Sequence, residues 1–351
     1  MKAIVCLWTM CLAVVVCASC RQKKAPPQDG PLFRISQNGK YGYIDQRGKV
    51  IVKPQFDGAG DFSEGLARVR RKEGEGQAYI DKTGTIVIKP QFHRAGDLSG
   101  GLACVSSDFG KTWGYINRTG MYAIKPQFEA PTLSNPGAFH EDRAVVKRSG
   151  KFGYIDKTGR EVVSPRFDAA EDFRDGLAAV KEDKKWGYID QTGRYIISPQ
   201  FASVGDFSEG LAFAAKELGD KFGYVDKTGD YVIEPKFNGA DEFSEGLACV
   251  SSAGGHGYID KTGQFVIKPQ FSEACDFSEG LAALKVGSKW GYIDRSGRVV
   301  IKPQFDVPSG LGPGRFQNGL ARVMMSDTSG KPVQKWGYIN QKGKYVWKPT
   351  K

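Results

Sequence analysis

A chain of 351 residues with 50 basic and 39 acidic side chains carries a formal net charge of +11, and its 40% apolar and 25% charged content excludes a disordered or collagen-like polymer. Glycine is in excess at 45 residues, and 41 Phe, Trp and Tyr residues stand against three His and five Met. That balance favours strands and leaves few groups for acid-base or metal chemistry.

Met1 and Lys2 precede an uncharged apolar run from Ala3 to Ser19, and Cys20 then opens the basic stretch holding Arg21, Lys23 and Lys24. This pattern reads as a signal peptide over residues 1–19, the run being short for a spanning helix. Cys17-Ala18-Ser19-Cys20 resembles a bacterial lipobox, with Cys17 standing where leucine is usual. The resemblance implies a lipoprotein whose Cys20 becomes the acylated, palmitate-bearing N-terminus and joins the chain to a membrane. Residues 20–31 then form a polar, Pro-containing tether. The expected location is the bacterial cell envelope, at the outer membrane or cell surface. Beyond Cys20 the mature chain holds Cys104, Cys249 and Cys275, an odd set that excludes a complete disulfide scaffold. Cys104 and Cys249 fall in the same Gly-Leu-Ala-Cys-Val-Ser-Ser string, which suggests a shared surface position.

From residue 32 the chain repeats. Tyr43, Tyr79, Tyr115, Tyr154, Tyr188, Tyr224, Tyr258, Tyr292 and Tyr338 each open a Tyr-Ile/Val-Asp/Asn triplet, at intervals of 34 to 46 residues. A full unit has a short strand A (Leu281-Ala-Ala-Leu-Lys285) and a strand B (Trp290-Gly-Tyr-Ile-Asp294). It ends in a strand C, such as Ile86-Val-Ile-Lys-Pro-Gln-Phe92, whose period of two puts Ile86, Ile88, Pro90 and Phe92 on one face. Asp-x-x-Gly, as in Asp260 to Gly263, supplies the turn between B and C. The proline of strand C cannot donate to a ladder, so C is predicted to be an edge strand. Trp113-Gly114, Trp186-Gly187, Trp290-Gly291 and Trp336-Gly337 carry a recurring pair, and Phe152-Gly153 and Phe222-Gly223 keep it with a smaller ring. Gln77-Ala78 departs from it. On these residues the chain resembles the WG-repeat (KWG) family over residues 32–349.

The fold class expected is all-β, with nine three-stranded antiparallel meanders. Each unit is too small to bury its own face and must lean on its neighbours. No strand is left over at one end to complete a unit at the other, and nine units exceed the usual four to eight blades of a propeller. An open β-superhelix is therefore expected, with a closed propeller-like ring as the alternative.

No catalytic, metal or cofactor constellation emerges. His93, His140 and His256 come from unrelated places in the unit, and His140-Glu141-Asp142 reads as a solvated loop. The series Asp45, Asp81, Asp156, Asp190, Asp226, Asp260 and Asp294 reads as turn chemistry, since it lacks the alternating carboxylates of a calcium loop. Lysines interleaved with these aspartates argue against a nucleic-acid track. Two insertions stand out, because the step from the Phe of strand C to the next Phe or Leu is usually six residues, as from Phe201 to Phe207. It becomes eleven from Phe128 to Phe139 and from Phe305 to Phe316. These segments, with Pro131, Leu133, Phe139, Leu311, Arg315 and Phe316, are the candidate partner-binding residues. The expected function is a non-enzymatic scaffold for a protein partner, held to the membrane by its N-terminal lipid. Binding of carbohydrate or peptidoglycan by exposed tryptophans is the alternative, and an unrecognised hydrolase working through His140 is a third class.

Overall fold

The structure is a computed structural model and describes residues 30–129, 137–306, 312–326 and 332–348. Cys20, Pro131, Leu133 and Leu311 lie outside these residues. The described chain is all strands and turns, in nine small antiparallel sheets.

The first sheet runs β1 (Phe33–Gln37), β2 (Lys40–Ile44) and β3 (Val50–Phe56), which are strands A, B and C of the sequence reading. The second holds β5 (Leu66–Arg70), β6 (Gln77–Asp81) and β7 (Ile86–Phe92), preceded by a strand that the three-strand expectation lacks. That extra strand, β4 (Gly58–Ala59), follows directly on strand C of the previous sheet and pairs with strand A of its own. Six of the nine sheets are four-stranded in this way.

Strand C carries the proline through a bulge. In the fifth sheet Trp186 pairs with Phe201 and Tyr188 with Ile197, so two residues of strand B face four of strand C. The bulge also overturns the simple alternation expected for C, because Ile88 and Phe92 are buried while Pro90 is exposed. It further explains the recurring Trp-Gly pair. A Cβ on Gly187 would fall 2.5 Å from the Ile197 carbonyl oxygen and 2.7 Å from the Pro199 nitrogen, so the bulged backbone occupies the place of a side chain. Between B and C the aspartate closes its turn as expected: one Asp81 carboxylate oxygen accepts from the backbone N–H of Thr83 at 2.9 Å and of Thr85 at 3.0 Å.

The core lies between sheets. Phe56 from strand C of the first sheet packs with Ala67, Val69, Ala78 and Ile80 of the second, and the same sharing recurs around the molecule. Every tyrosine of the repeat is buried and donates its hydroxyl to a backbone carbonyl of the next sheet. The acceptors run from Gly60 for Tyr43 and Gly96 for Tyr79 to Gly314 for Tyr292, at 2.7–3.0 Å. The ninth, Tyr338, donates at 2.9 Å to the carbonyl of Arg34 in the first sheet.

That last bond corrects the open superhelix. Phe33, Ile35 and Ile44 of the first sheet form one apolar cluster with Leu320, Tyr338 and Trp347 of the last. Gln46 donates to the Asn318 carbonyl at 2.7 Å. The sheets are thus the nine blades of a closed β-propeller. Closure needs no exchanged strand, because the bond from the Tyr338 hydroxyl to the Arg34 carbonyl is of the kind that joins every other pair of blades.

Candidate functional site

A ninefold skeleton makes its exceptions informative. Two positions on the inner edge of each blade carry them: the residue before the Phe that follows the innermost strand, and the strand A residue paired with the tyrosine. The first is Asp61, Asp97, Asp172, Asp206, Glu242 and Asp276 in blades two, three and five to eight, then Arg315 in blade nine. The second is Arg322 in blade nine, Arg34 in blade one and Arg68 in blade two, against Ala179, Phe213, Cys249 and Ala283 in blades five to eight. These positions converge toward the axis, for one cavity of about 200 Å³ is lined by Glu171, Asp206 and Glu242 from three consecutive blades, with Trp186 and Phe213.

The inner rim is therefore divided by charge. In blades nine, one and two the arginines are engaged: Arg34 with Asp61 at 3.5 Å, Arg68 with Asp97 at 2.8 Å, and Arg322 over the Trp336 ring at 4.3 Å. In blades five to eight the carboxylates outnumber their cations. Asp206 has Arg174 only at 3.9 Å, and burial, with Glu171 and Glu242 nearby, pushes its carboxyl up to about 6. Asp276 pairs with Arg315 through one oxygen, while its other oxygen is buried with no hydrogen-bond partner; burial pushes it up to about 6 as well. Burial also raises Glu171, Asp172 and Asp241.

These shifts set a pH dependence. Asp206 and Asp276 hold protons more tightly folded than unfolded, so their contribution to stability is complete below about pH 4 and is lost as pH rises through about 6. Asp108, Asp156 and Asp294 behave oppositely, because hydrogen bonds from Thr112, Thr158 and Ser296 hold them down at about 2, and their contribution is lost as pH falls toward that value. The melting temperature is therefore expected to rise between about pH 7 and about pH 5 and to fall below about pH 4. Asp206→Asn should stabilise the fold at neutral pH by about 1 kcal/mol after allowing for partial exposure, and should flatten the rise. Scanning calorimetry across pH checks this; an unchanged slope in the variant would refute it.

Of the expected partner-binding residues, Phe139 and Phe316 belong to the core instead. They are 3% and 0% exposed, and their rings meet Tyr115 and Tyr292 edge-on at 5.1 and 5.0 Å. The insertions displace the chain but return the phenylalanine to its place. Arg315 is exposed on the inner rim with Asp276. Residues 130–136 lie between Glu129, which bridges Lys147, and Gly137, which receives the Tyr115 hydroxyl, so both ends of the first insertion rest on the inner edge of blade four.

Cys104 and Cys249 are buried rather than at a surface, and burial raises both thiols. Burial pushes Cys275 up to about 11. His140 lies 3.2 Å from Asp172 and Glu141 accepts from the Gly176 N–H at 3.0 Å, both of the next blade, while Asp142 pairs with Lys157 of its own blade at 2.5 Å, so the first two clamp neighbouring blades. Among the described residues no three His, Cys, Asp or Glu side chains converge as metal ligands, and no helix is long and apolar enough to cross a membrane. Sequence reasoning missed the charged rim, although its signal was readable as the residue before each recurring Phe.

Comparison with known proteins agrees with this architecture. The family described as WG containing repeat matches eight segments between residues 41 and 328, at 41–74, 78–108, 113–152, 152–186, 186–217, 222–254, 257–290 and 290–328. The chain belongs to the WG-repeat family. A solved structure titled as the eukaryotic initiation factor shares the fold at a TM-score of 0.59 and 10% identity, over 92% of this chain and 100% of the other. BamB from Moraxella catarrhalis is similar at 14% identity and a TM-score of 0.43, over 78% of this chain and 93% of its own. A comparison with curated proteins finds no sequence match.

Proposed function

We propose that this protein is a non-enzymatic scaffold that presents the inner rim of its propeller to a protein partner with a basic docking segment. In this reading a lipid on Cys20 holds it at the bacterial envelope. The observation that supports the reading is the charge division of the rim. A fold that needs only repeated tyrosines, glycines and phenylalanines gains nothing from clustering Asp206, Asp241, Glu242 and Asp276, and the burial of Asp206 and Asp276 costs stability at neutral pH. Such a cost is compensated when a cation arrives, and facing charges speed and orient encounter. The carbohydrate alternative has less support, because Trp113 and Trp290 are 5% and 3% exposed and offer no open ring face.

The test is capture of partners from envelope extracts by the full protein and by the Asp206→Asn, Glu242→Gln, Asp276→Asn triple variant. Loss of a salt-sensitive partner in the variant is the expected result, and equal capture by both rejects the docking reading. Cys20→Ser should release the protein from the detergent phase on partitioning; retention there rejects the lipid anchor.

A further inference from the structure

Blade two departs from the repeat where strand B begins, and the departure leaves a cavity. Strand A ends in a basic residue in several blades, and that cation rests over the first ring of strand B. Lys147 lies 5.3 Å from the Phe152 centroid, Lys181 5.5 Å from Trp186 and Lys285 5.9 Å from Trp290. In blade two the cation is Arg70, but the ring is replaced by Gln77. The neighbouring position shows the same substitution of polarity for bulk: blade six packs Phe213 edge-on against Phe222 at 5.6 Å, where blade two has Arg68 and Gln77.

The space so opened is a cavity of about 330 Å³ between blades one and two, within the range of small-molecule sites. Tyr41 and Gln77 line it with Arg68, Arg70 and one carboxylate, Asp57, and the Gly58-Ala59-Gly60 segment adds little beyond backbone to its wall. The Nε atom of Arg70 is buried there with no hydrogen-bond partner. The nearby carboxylates are each held by another cation, Asp57 by Lys40, Asp61 by Arg34 and Asp97 by Arg68. Arg70 is thus a cation that has lost the ring beneath it, and although the Asp57 carboxylate lies within its field, its Nε donor makes no hydrogen bond.

We infer that this cavity binds an aromatic carboxylate, whose ring takes the place of the missing strand B ring and whose carboxylate meets Arg70. The ring restores the cation–π contact that the other blades make internally. The carboxylate offers two acceptor oxygens to a guanidinium whose donors form a matching fork. Either a free aromatic acid or the C-terminal Phe or Tyr of a peptide presents this chemistry. The site is on blades one and two, so it stands or falls independently of the acidic arc on blades five to eight.

Phenylacetate, phenylacetamide, cyclohexylacetate, inorganic phosphate and a short peptide ending in Phe, with its C-terminal amide, are titrated into the full protein by calorimetry. Phenylacetate or the free-acid peptide should bind, and whichever binds more tightly identifies the source. Phenylacetamide, cyclohexylacetate and the amidated peptide should each bind at least tenfold more weakly than their counterparts. Gln77→Trp restores the ring that other blades carry, so it should fold normally and lose binding; Arg70→Gln should weaken binding at least tenfold. The inference is overturned if neither acid binds, if phosphate binds as well as the aromatic acid, or if Gln77→Trp with an unchanged melting temperature keeps its affinity.

Discussion

Gly187→Val is expected to remove at least about 3 kcal/mol of stability, enough to unfold the chain at moderate denaturant. The Cβ of any residue at 187 would meet three backbone atoms of the strand C bulge, the Ile197 oxygen at 2.5 Å, the Pro199 nitrogen at 2.7 Å and the Ser198 carbonyl carbon at 2.9 Å. Backbone cannot rotate aside as a side chain can, so strand C must lift away from strand B. Ile197 and Phe201 are buried from that strand, and with Phe207 and Ala214 they form the contact between blades five and six. Lifting the strand therefore damages the junction as well as the blade. Blade two shows how far the position yields, since Ala78 is accommodated there next to Gln77 instead of Trp. A single methyl is therefore accommodated at this position, whereas the branched valine at 187 adds two further carbons against the same backbone. Gly176→Asn is the control, because Gly176 has φ +84° but open space around its Cβ, and Asn accepts that conformation at small cost. Denaturant titration of the two variants decides it, and equal midpoints would mean that the bulge does not hold the sheet.

The sequence carried the blades but not their closure. Strand B, strand C and the Asp-x-x-Gly turn between them are legible because each is set by local chemistry: alternation, a proline that forbids pairing and an aspartate that accepts from its own turn. The innermost strand is two residues long in β4, too short to show a period, and its sequence varies between Gly58-Ala59, Ser203-Val204 and Glu273-Ala274. Closure was illegible for another reason. The expectation asked for an exchanged strand, whereas the ring closes by the Tyr338 hydroxyl reaching a carbonyl 304 residues earlier. Nothing in one unit distinguishes a tyrosine that meets the next copy from one that meets the first copy. Phe139 and Phe316 stand beside insertions that suggest an outward position, but their spacing to the following Arg143 and Leu320 matches that of Phe62 to Leu66 and keeps them in the core.

Trp347→Ala should weaken the ring at one place only, at a cost of about 3 to 5 kcal/mol for a buried ring lost from a packed cluster. Its neighbours there are Phe33, Ile35, Ile44, Leu320 and Tyr338, all 8% exposed or less. The equivalent residue of blade eight is Ile301, which packs with Phe316, Ala321 and Ile339 of the next blade. The two junctions differ in covalent structure. Strand C of blade eight continues along the chain into blade nine, so a loosened contact there recloses at the effective concentration of a short tether. Blades nine and one have no such crossover; among the described residues they are joined by side-chain packing and by hydrogen bonds that include Tyr338 to Arg34 and Gln46 to Asn318. Ile301→Ala should therefore lower global stability while local opening remains shared over the ring. Trp347→Ala should produce early hydrogen exchange at Phe33–Ile44 and at the strand around Tyr338, with the middle blades unchanged. The opened form also bares one complementary face at each end, so it should pair with a second copy as concentration rises. Hydrogen exchange and sedimentation of the variant distinguish these outcomes. Uniform exchange across all nine blades with no association would show that the junction without a crossover is as secure as the other eight, and that closure does not rest on the Trp347 cluster.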